Sequence, residues 1–165
     1  MTIEPHRLAD IVEIHQLFAA RLRALDMKDW DLYAACHTGD VRGQTYGDHP
    51  AATTSDGNAP VYDYVGIPEM IARIRDFIEG PVPLTTCHHG HNPEITLLSE
   101  TEASGIWAME DRLWWSNGER REMMHGHGHY HETYRKVDGR WLISFRKLTR
   151  LHLERSPGFY DRPGA

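Results

Sequence analysis

Cysteine is scarce: Cys36 and Cys87 are the only two in 165 residues. Neither sits in a Cys-x-x-Cys pair, so a disulfide scaffold is excluded and ordinary thiols are expected. Long apolar runs are missing as well. No stretch approaches the ~18 consecutive apolar residues of a membrane helix. The opening MTIEPHRLADIVEIH places charges where a secretion signal needs its apolar segment, so cytoplasmic residence without a membrane partner is expected. Positive charge is in deficit, with Lys+Arg 18 against Asp+Glu 24 and a net charge of −6. Such a chain offers no basic face for phosphate neutralisation, which argues against nucleic acid as a partner. Repeats, linkers and low-complexity tracts are absent too, and the length suits one domain spanning residues 1–165.

What the chain has in excess is histidine. Seven of its 12 histidines fall between His88 and His131. Histidine is both the side chain that titrates nearest neutrality and a common metal ligand. The sequence therefore has to be searched for a base and for a metal site.

Leu8, Ile11, Val12, Ile14, Leu17, Phe18, Leu22 and Leu25 recur at helical spacing and predict a first helix over Leu8–Leu25. Asp29 can cap a second, short helix from Trp30 to about His37. From Thr38 to Asn58 the composition is that of a loop, with a short strand around Val41–Tyr46. GIPEMIARIRDFIEG predicts a third helix, with Pro68 in its first turn and Gly80 at its stop. Four long strands follow: Thr85–Leu98, Ala103–Trp115, Glu119–Val137 and Arg140–Leu153, with hairpin signals at SNGE and Asp138–Gly139. Helices first and an antiparallel meander afterwards give an α+β fold: a curved antiparallel sheet with three helices over its concave face, enclosing a pocket.

Four constellations carry chemistry. Asp26 ends the first helical stripe, where a carboxylate opposes the helix dipole; it is either a surface turn residue or an acid held for a partner in the pocket mouth. In TTCHHGHNPEITL, His88 and Gly90 share one face of a strand, an arrangement open to a positioned base or to an idle histidine. In HGHGHYHETY, His125, His127, His129 and His131 share a face, roughly 7 Å between neighbours. Tyr130 and Tyr134 occupy the opposite face with Gly126 and Gly128, so the imidazoles should point outward, and no metal spacing such as HExxH accompanies them. No metal site is expected. Finally, Arg146, Lys147 and Arg150 near the chain's end are a solvated basic edge, unless an arginine reaches the pocket and supplies donors to an oxyanion.

The runs IVEIHQLFAARLRALDMKDWDLY, HHGHNPEITLLSETEASGIWAMED and GHYHETYRKVDGRWLISFRKLTRL resemble the SnoaL-like branch of the NTF2-like superfamily. The likeness is to bile-acid 7α-dehydratases and, more distantly, to scytalone dehydratase and hexachlorocyclohexane dehydrochlorinases, and it covers residues 8–155. It implies a cone-shaped fold around a deep apolar pocket. It also implies a catalytic pair of Asp26 and His88, with Arg150 as a dehydratase-like arginine on the last strand. Where the bile-acid enzymes carry a tyrosine five residues before the aspartate, this chain has Arg21, which would offer a guanidinium to the substrate instead of a hydroxyl. Tyr46 falls in the region of a catalytic tyrosine of scytalone dehydratase; Trp107 and Met109 are candidate pocket walls.

The function expected is therefore a cofactor-independent lyase, a dehydratase acting on a small, apolar, ring-containing substrate of steroid, polyketide or terpenoid type. The family also holds isomerases, cyclases and non-catalytic ligand binders, and its members suggest a homo-oligomer, trimer or dimer. A metal protein built on the histidine stripe is a further alternative.

Overall fold

The computed structural model describes residues 5–47 and 60–164. The helices are α1 (Pro5–Met27), α2 (Trp30–Ala35) and α3 (Ile67–Ile78). The strands are β1 (His37–Thr45), β2 (Tyr62–Val65), β3 (Thr85–Leu97), β4 (Glu102–Ser116), β5 (Arg121–Val137) and β6 (Arg140–Arg155). None of the helices is long and apolar enough to cross a membrane.

The corner between α1 and α2 is set by local chemistry. Lys28 adopts a left-handed conformation with φ 58°, and the Asp29 N–H bonds back to the Ala24 carbonyl at 2.9 Å, which closes α1. The Asp29 side chain then accepts from the Leu32 N–H at 3.0 Å and opens α2. The Lys28 ammonium donates to the Leu84 carbonyl at 2.9 Å and ties this corner to the start of β3. Asp26 is thereby held at a fixed place beside that strand.

One six-stranded sheet runs in the order β2-β1-β6-β5-β4-β3. The last four strands form the expected antiparallel meander, with Asp138 and Gly139 both at positive φ in the tight β5–β6 turn. Three features differ from the sequence expectation. α2 stops at Ala35, and His37 opens β1 instead of closing the helix. β1 lies parallel to β6 while pairing antiparallel with β2, a strand the sequence pattern did not reveal because it has four residues. Leu8 and Val12 are exposed, so the apolar stripe of α1 is buried only from Ile14 onward. The expected loop over 38–58 is in its first part strand β1; residues 48–59 lie outside the described residues.

Period-two alternation decides what faces the helices. Trp107, Met109, Asp111 and Leu113 point inward from β4, and Tyr130, Glu132 and Tyr134 from β5. α1 lies on this face, with Phe18 stacked on Trp107 at 3.7 Å between ring centroids. Gly90 makes that approach possible, because a Cβ there would overlap the Phe18 ring.

His37 gives the fold a pH dependence. It is buried, its Nδ1 lies 2.7 Å from the Tyr33 carbonyl, and burial pushes its pKa down to about 3, helped by the charges of Arg146 and Arg21. An unfolded histidine titrates near ~6.5, so between these values the unfolded chain binds a proton that the folded chain refuses. Stability should fall as pH drops through that window, by up to ~1.4 kcal/mol per pH unit from this group. Urea titrations from pH 7 to pH 4 measure it. His37→Asn should flatten the slope; an unchanged slope would assign it to other groups.

Candidate active site

Two side chains from opposite ends of the fold meet at the α1–β3 contact. The Asp26 carboxylate accepts a hydrogen bond from His88 Nδ1 at 2.6 Å, from the His88 backbone N–H at 3.0 Å, and from the Thr86 hydroxyl at 2.8 Å. Burial by itself would raise the carboxyl pKa, but the His88 hydrogen bond and charge, with the Thr86 bond, outweigh it, and the pKa lies below the usual carboxylate value. Three donors thus offset the unfavourable helix C-terminus. An ionised Asp26 accepting at Nδ1 fixes the tautomer: Nδ1 carries the proton, and Nε2 keeps its lone pair.

His88 lines an apolar chamber of about 110 Å³ whose walls include Leu25, Tyr64, Ile74, Leu113 and Leu148. Four more charged side chains face it: Arg73, Asp111, Arg146 and Arg150. Asp111 sits directly across from His88 in the β3–β4 register. It receives Arg150 as a two-pronged pair, at 2.8 and 2.7 Å. Seen from its other side, the dyad borders an open groove between α1 and β3 that also touches Phe18 and Trp107.

The Asp111–Arg150 pair crosses over β5 at Gly126. A Cβ at this position would collide with both the Arg150 guanidinium and the Asp111 carboxylate. Gly126→Ala should therefore cost ~1–3 kcal/mol of stability and displace Arg150 from the chamber wall. Thermal unfolding monitors the first effect, and an unchanged midpoint would mean that the pair has room to cross elsewhere.

The other expected site residues fall in different places. Arg21 does not face the chamber: it is completely buried and donates to Glu132 at 2.9 Å. The reason is packing, since its guanidinium sits over the Phe18 and Tyr130 rings at 4.8 and 4.6 Å. Trp107 borders the outer groove and not the chamber; its indole N–H donates to the Tyr134 hydroxyl at 2.8 Å. Met109 is buried in the core packed against α1 and is not a chamber wall. Tyr46 lines a smaller cavity next door, about 70 Å³, which shares Arg150, Tyr62 and Phe77 with the chamber, and Lys147 lies over its ring at 4.8 Å.

Asp111 and Glu132 were not singled out by the sequence reading, and Arg146 was named only within the basic edge from which an arginine could reach the pocket. Strand parity held the signal for two of them, because Asp111 shares a face with Trp107 and Met109, and Glu132 with Tyr130 and Tyr134. The histidine stripe is half-buried on the sheet face turned away from the helices, as the tyrosines predicted. On that outer face His89, His91 and Glu110 bring potential ligand atoms within 4.8 Å of one another. They are a possible cation cluster remote in role from the dyad, and Glu110 already accepts from His125 Nε2 at 2.8 Å.

The model of the SnoaL-like domain matches residues 6–147. This chain belongs to the SnoaL-like family. Solved structures with the same fold include a hexachlorocyclohexane dehydrochlorinase (LinA) type 2, with 20% identity and TM-score 0.70, covering 93% of each chain. A candidate scytalone dehydratase from Novosphingobium aromaticivorans matches at 21% identity and TM-score 0.68, over 90% of this chain and 88% of the other. ActVI-ORFA from Streptomyces coelicolor matches at 16% identity and TM-score 0.66, over 87% of this chain and 98% of that one. The six-stranded curved sheet with three helices is thus the cone architecture of the NTF2-like SnoaL branch. At these identities the likeness carries the fold, and the chemistry must be argued from the chamber.

Proposed function

We propose that this SnoaL-like domain is a cofactor-independent lyase, a dehydratase that removes water from a small apolar ring compound bearing a β-hydroxy carbonyl group. The observation that carries it is the Asp26–His88 hydrogen bond at 2.6 Å, with the imidazole lining an apolar chamber. His88 Nε2 takes the proton α to the carbonyl, and Asp26 steadies the imidazolium that forms. The enolate oxygen would be met by guanidinium donors, of which Arg150 is one candidate on the shared wall. When the electron pair returns and the β C–O bond breaks, the leaving hydroxide collects the proton from His88. Atoms balance with water as the sole by-product, and no cofactor enters the cycle.

Apolar walls fit a steroid, polyketide or terpenoid ring. The same base would serve an isomerase if the proton returned to a different carbon. A homo-oligomer in the cytoplasm belongs to this reading, and sedimentation checks the assembly. The direct test offers cyclic β-hydroxy ketones of the three classes and follows the ultraviolet absorbance of the conjugated enone. Substrate deuterated at the α-carbon should react more slowly. Failure of all three classes to gain absorbance would count against dehydration.

A further inference from the structure

Four guanidinium groups (Arg21, Arg73, Arg146 and Arg150) and three carboxylates (Asp26, Asp111 and Glu132) are gathered in and beside the chamber, and their pairing is uneven. Asp26 is taken by His88 and Thr86. Asp111 has both oxygens held by Arg150. Glu132 gives one oxygen to Arg21 at 2.9 Å and accepts the Tyr134 hydroxyl on the other at 2.8 Å. Arg146 is left over. It is only 7% exposed, yet it forms no ion pair among the described residues. Its Nη1 donates to the Tyr33 hydroxyl at 3.0 Å, and its buried Nε has no hydrogen-bond partner among the described residues. The Tyr130 ring lies 5.8 Å from the guanidinium carbon, a contact that eases but does not neutralise the charge.

A buried cation outside any direct ion pair is costly even with the Arg21-paired Glu132 facing it across the β5–β6 register, and a guanidinium cannot escape by losing its proton. Arg162, the other buried arginine outside these pairs, is different, because it is spent on the Phe77, Ile78, Glu79 and Val82 carbonyls at the end of α3. Arg146 instead lines the same chamber as His88. Exposed Arg73 at that chamber adds further positive potential. The chain as a whole has net charge −6, so this concentration of positive charge is local.

We propose that Arg146 is a carboxylate-binding subsite, so that the molecule taken by the chamber is a small ring acid and not a neutral ring compound. The planar fork of a guanidinium suits the two oxygens of a carboxylate, and the apolar walls suit the ring that carries it. The anion would anchor the substrate in the chamber that His88 lines, with Arg146 and not the Asp111-paired Arg150 holding its charge. This deepens, and rests on, the assignment of the chamber as the active site.

Calorimetric titration of the full chain with benzoate and with benzamide tests it. These probes share a ring and differ in charge. Benzoate should bind saturably at millimolar concentration or below, at least tenfold more tightly than benzamide, and Arg146→Met should abolish that preference. Arg146→Lys, which keeps the charge, should retain part of it and serves if the methionine variant fails to fold. His88→Gln should keep benzoate binding while losing turnover. Equal binding of the two probes, binding of neither, or a preference that survives in Arg146→Met would each overturn the proposal. Benzoate binding that depends on Arg146, in a protein that dehydrates none of the β-hydroxy ring ketones, with or without a carboxylate on the ring, would sink the dehydratase reading and leave the subsite standing.

Discussion

Replacing His88 by alanine should lower kcat by at least ~10²-fold, and by up to ~10⁴-fold, while the protein still folds. In the proposed reaction the side chain is the general base, and it lines the chamber without belonging to either apolar core cluster, so the core does not depend on it. Asp26→Asn should cost a comparable factor by another route. An amide in place of the carboxylate can turn its NH2 toward Nδ1, which favours the tautomer that protonates Nε2 and abolishes the base. It also removes the charge that steadies the imidazolium. Steady-state kinetics on the dehydration substrate, with circular dichroism as the folding control, decides the matter. A His88→Ala protein that keeps more than a tenth of kcat would remove His88 as the base. The Asp26 pair also has a sign in pH. Because the folded carboxyl pKa lies below the ordinary value, its stabilisation is in force above the unfolded value of ~3.9. It is lost only as pH falls further, through the folded pKa. Asp26 is therefore ionised throughout the neutral range, and any loss of activity between pH 7 and pH 5 must come from another group.

The sequence made some of this site legible and hid the rest for physical reasons. The family likeness alone pairs Asp26 with His88; periodicity places one at a helix end and the other on a strand face and leaves the role of each open. Long-range partners of charged residues are a different matter. Arg21 and Glu132 are 111 positions apart, and nothing local says that a guanidinium in an amphipathic helix will be sealed under two aromatic rings. Asp111 was readable as an inward position on β4. Its meeting with Arg150 depends on the absence of a side chain at Gly126 on the strand between them. The parallel β1–β6 pairing follows from three-dimensional closure of the sheet and leaves no mark in the alternation of either strand.

Glu132→Gln should be the most damaging of the core substitutions, at ~3–5 kcal/mol. The glutamate is buried between the Arg21 guanidinium and the Tyr134 hydroxyl, and Trp107 extends the chain of hydrogen bonds behind the tyrosine. An amide keeps the shape and removes the one carboxylate that Arg21 touches among the described residues, leaving Arg21 uncompensated and taking the charge from position 132, which faces Arg146 across the β5–β6 register. For a chain of this size each kcal/mol moves the thermal midpoint by ~2–4 °C, so a fall of roughly 10 °C is expected. Taking away both charges is a different experiment. Arg21→Met combined with Glu132→Leu removes the desolvation cost along with the attraction, and apolar replacements of a buried pair are often neutral. The double variant should recover more than half of the loss, less what the Tyr134 hydroxyl forfeits with its acceptor. If Glu132→Gln moved the midpoint by no more than a degree or two, the pair would not be shielded from water. The same water would then reach Arg146, and the case for an anion in the chamber would weaken with it.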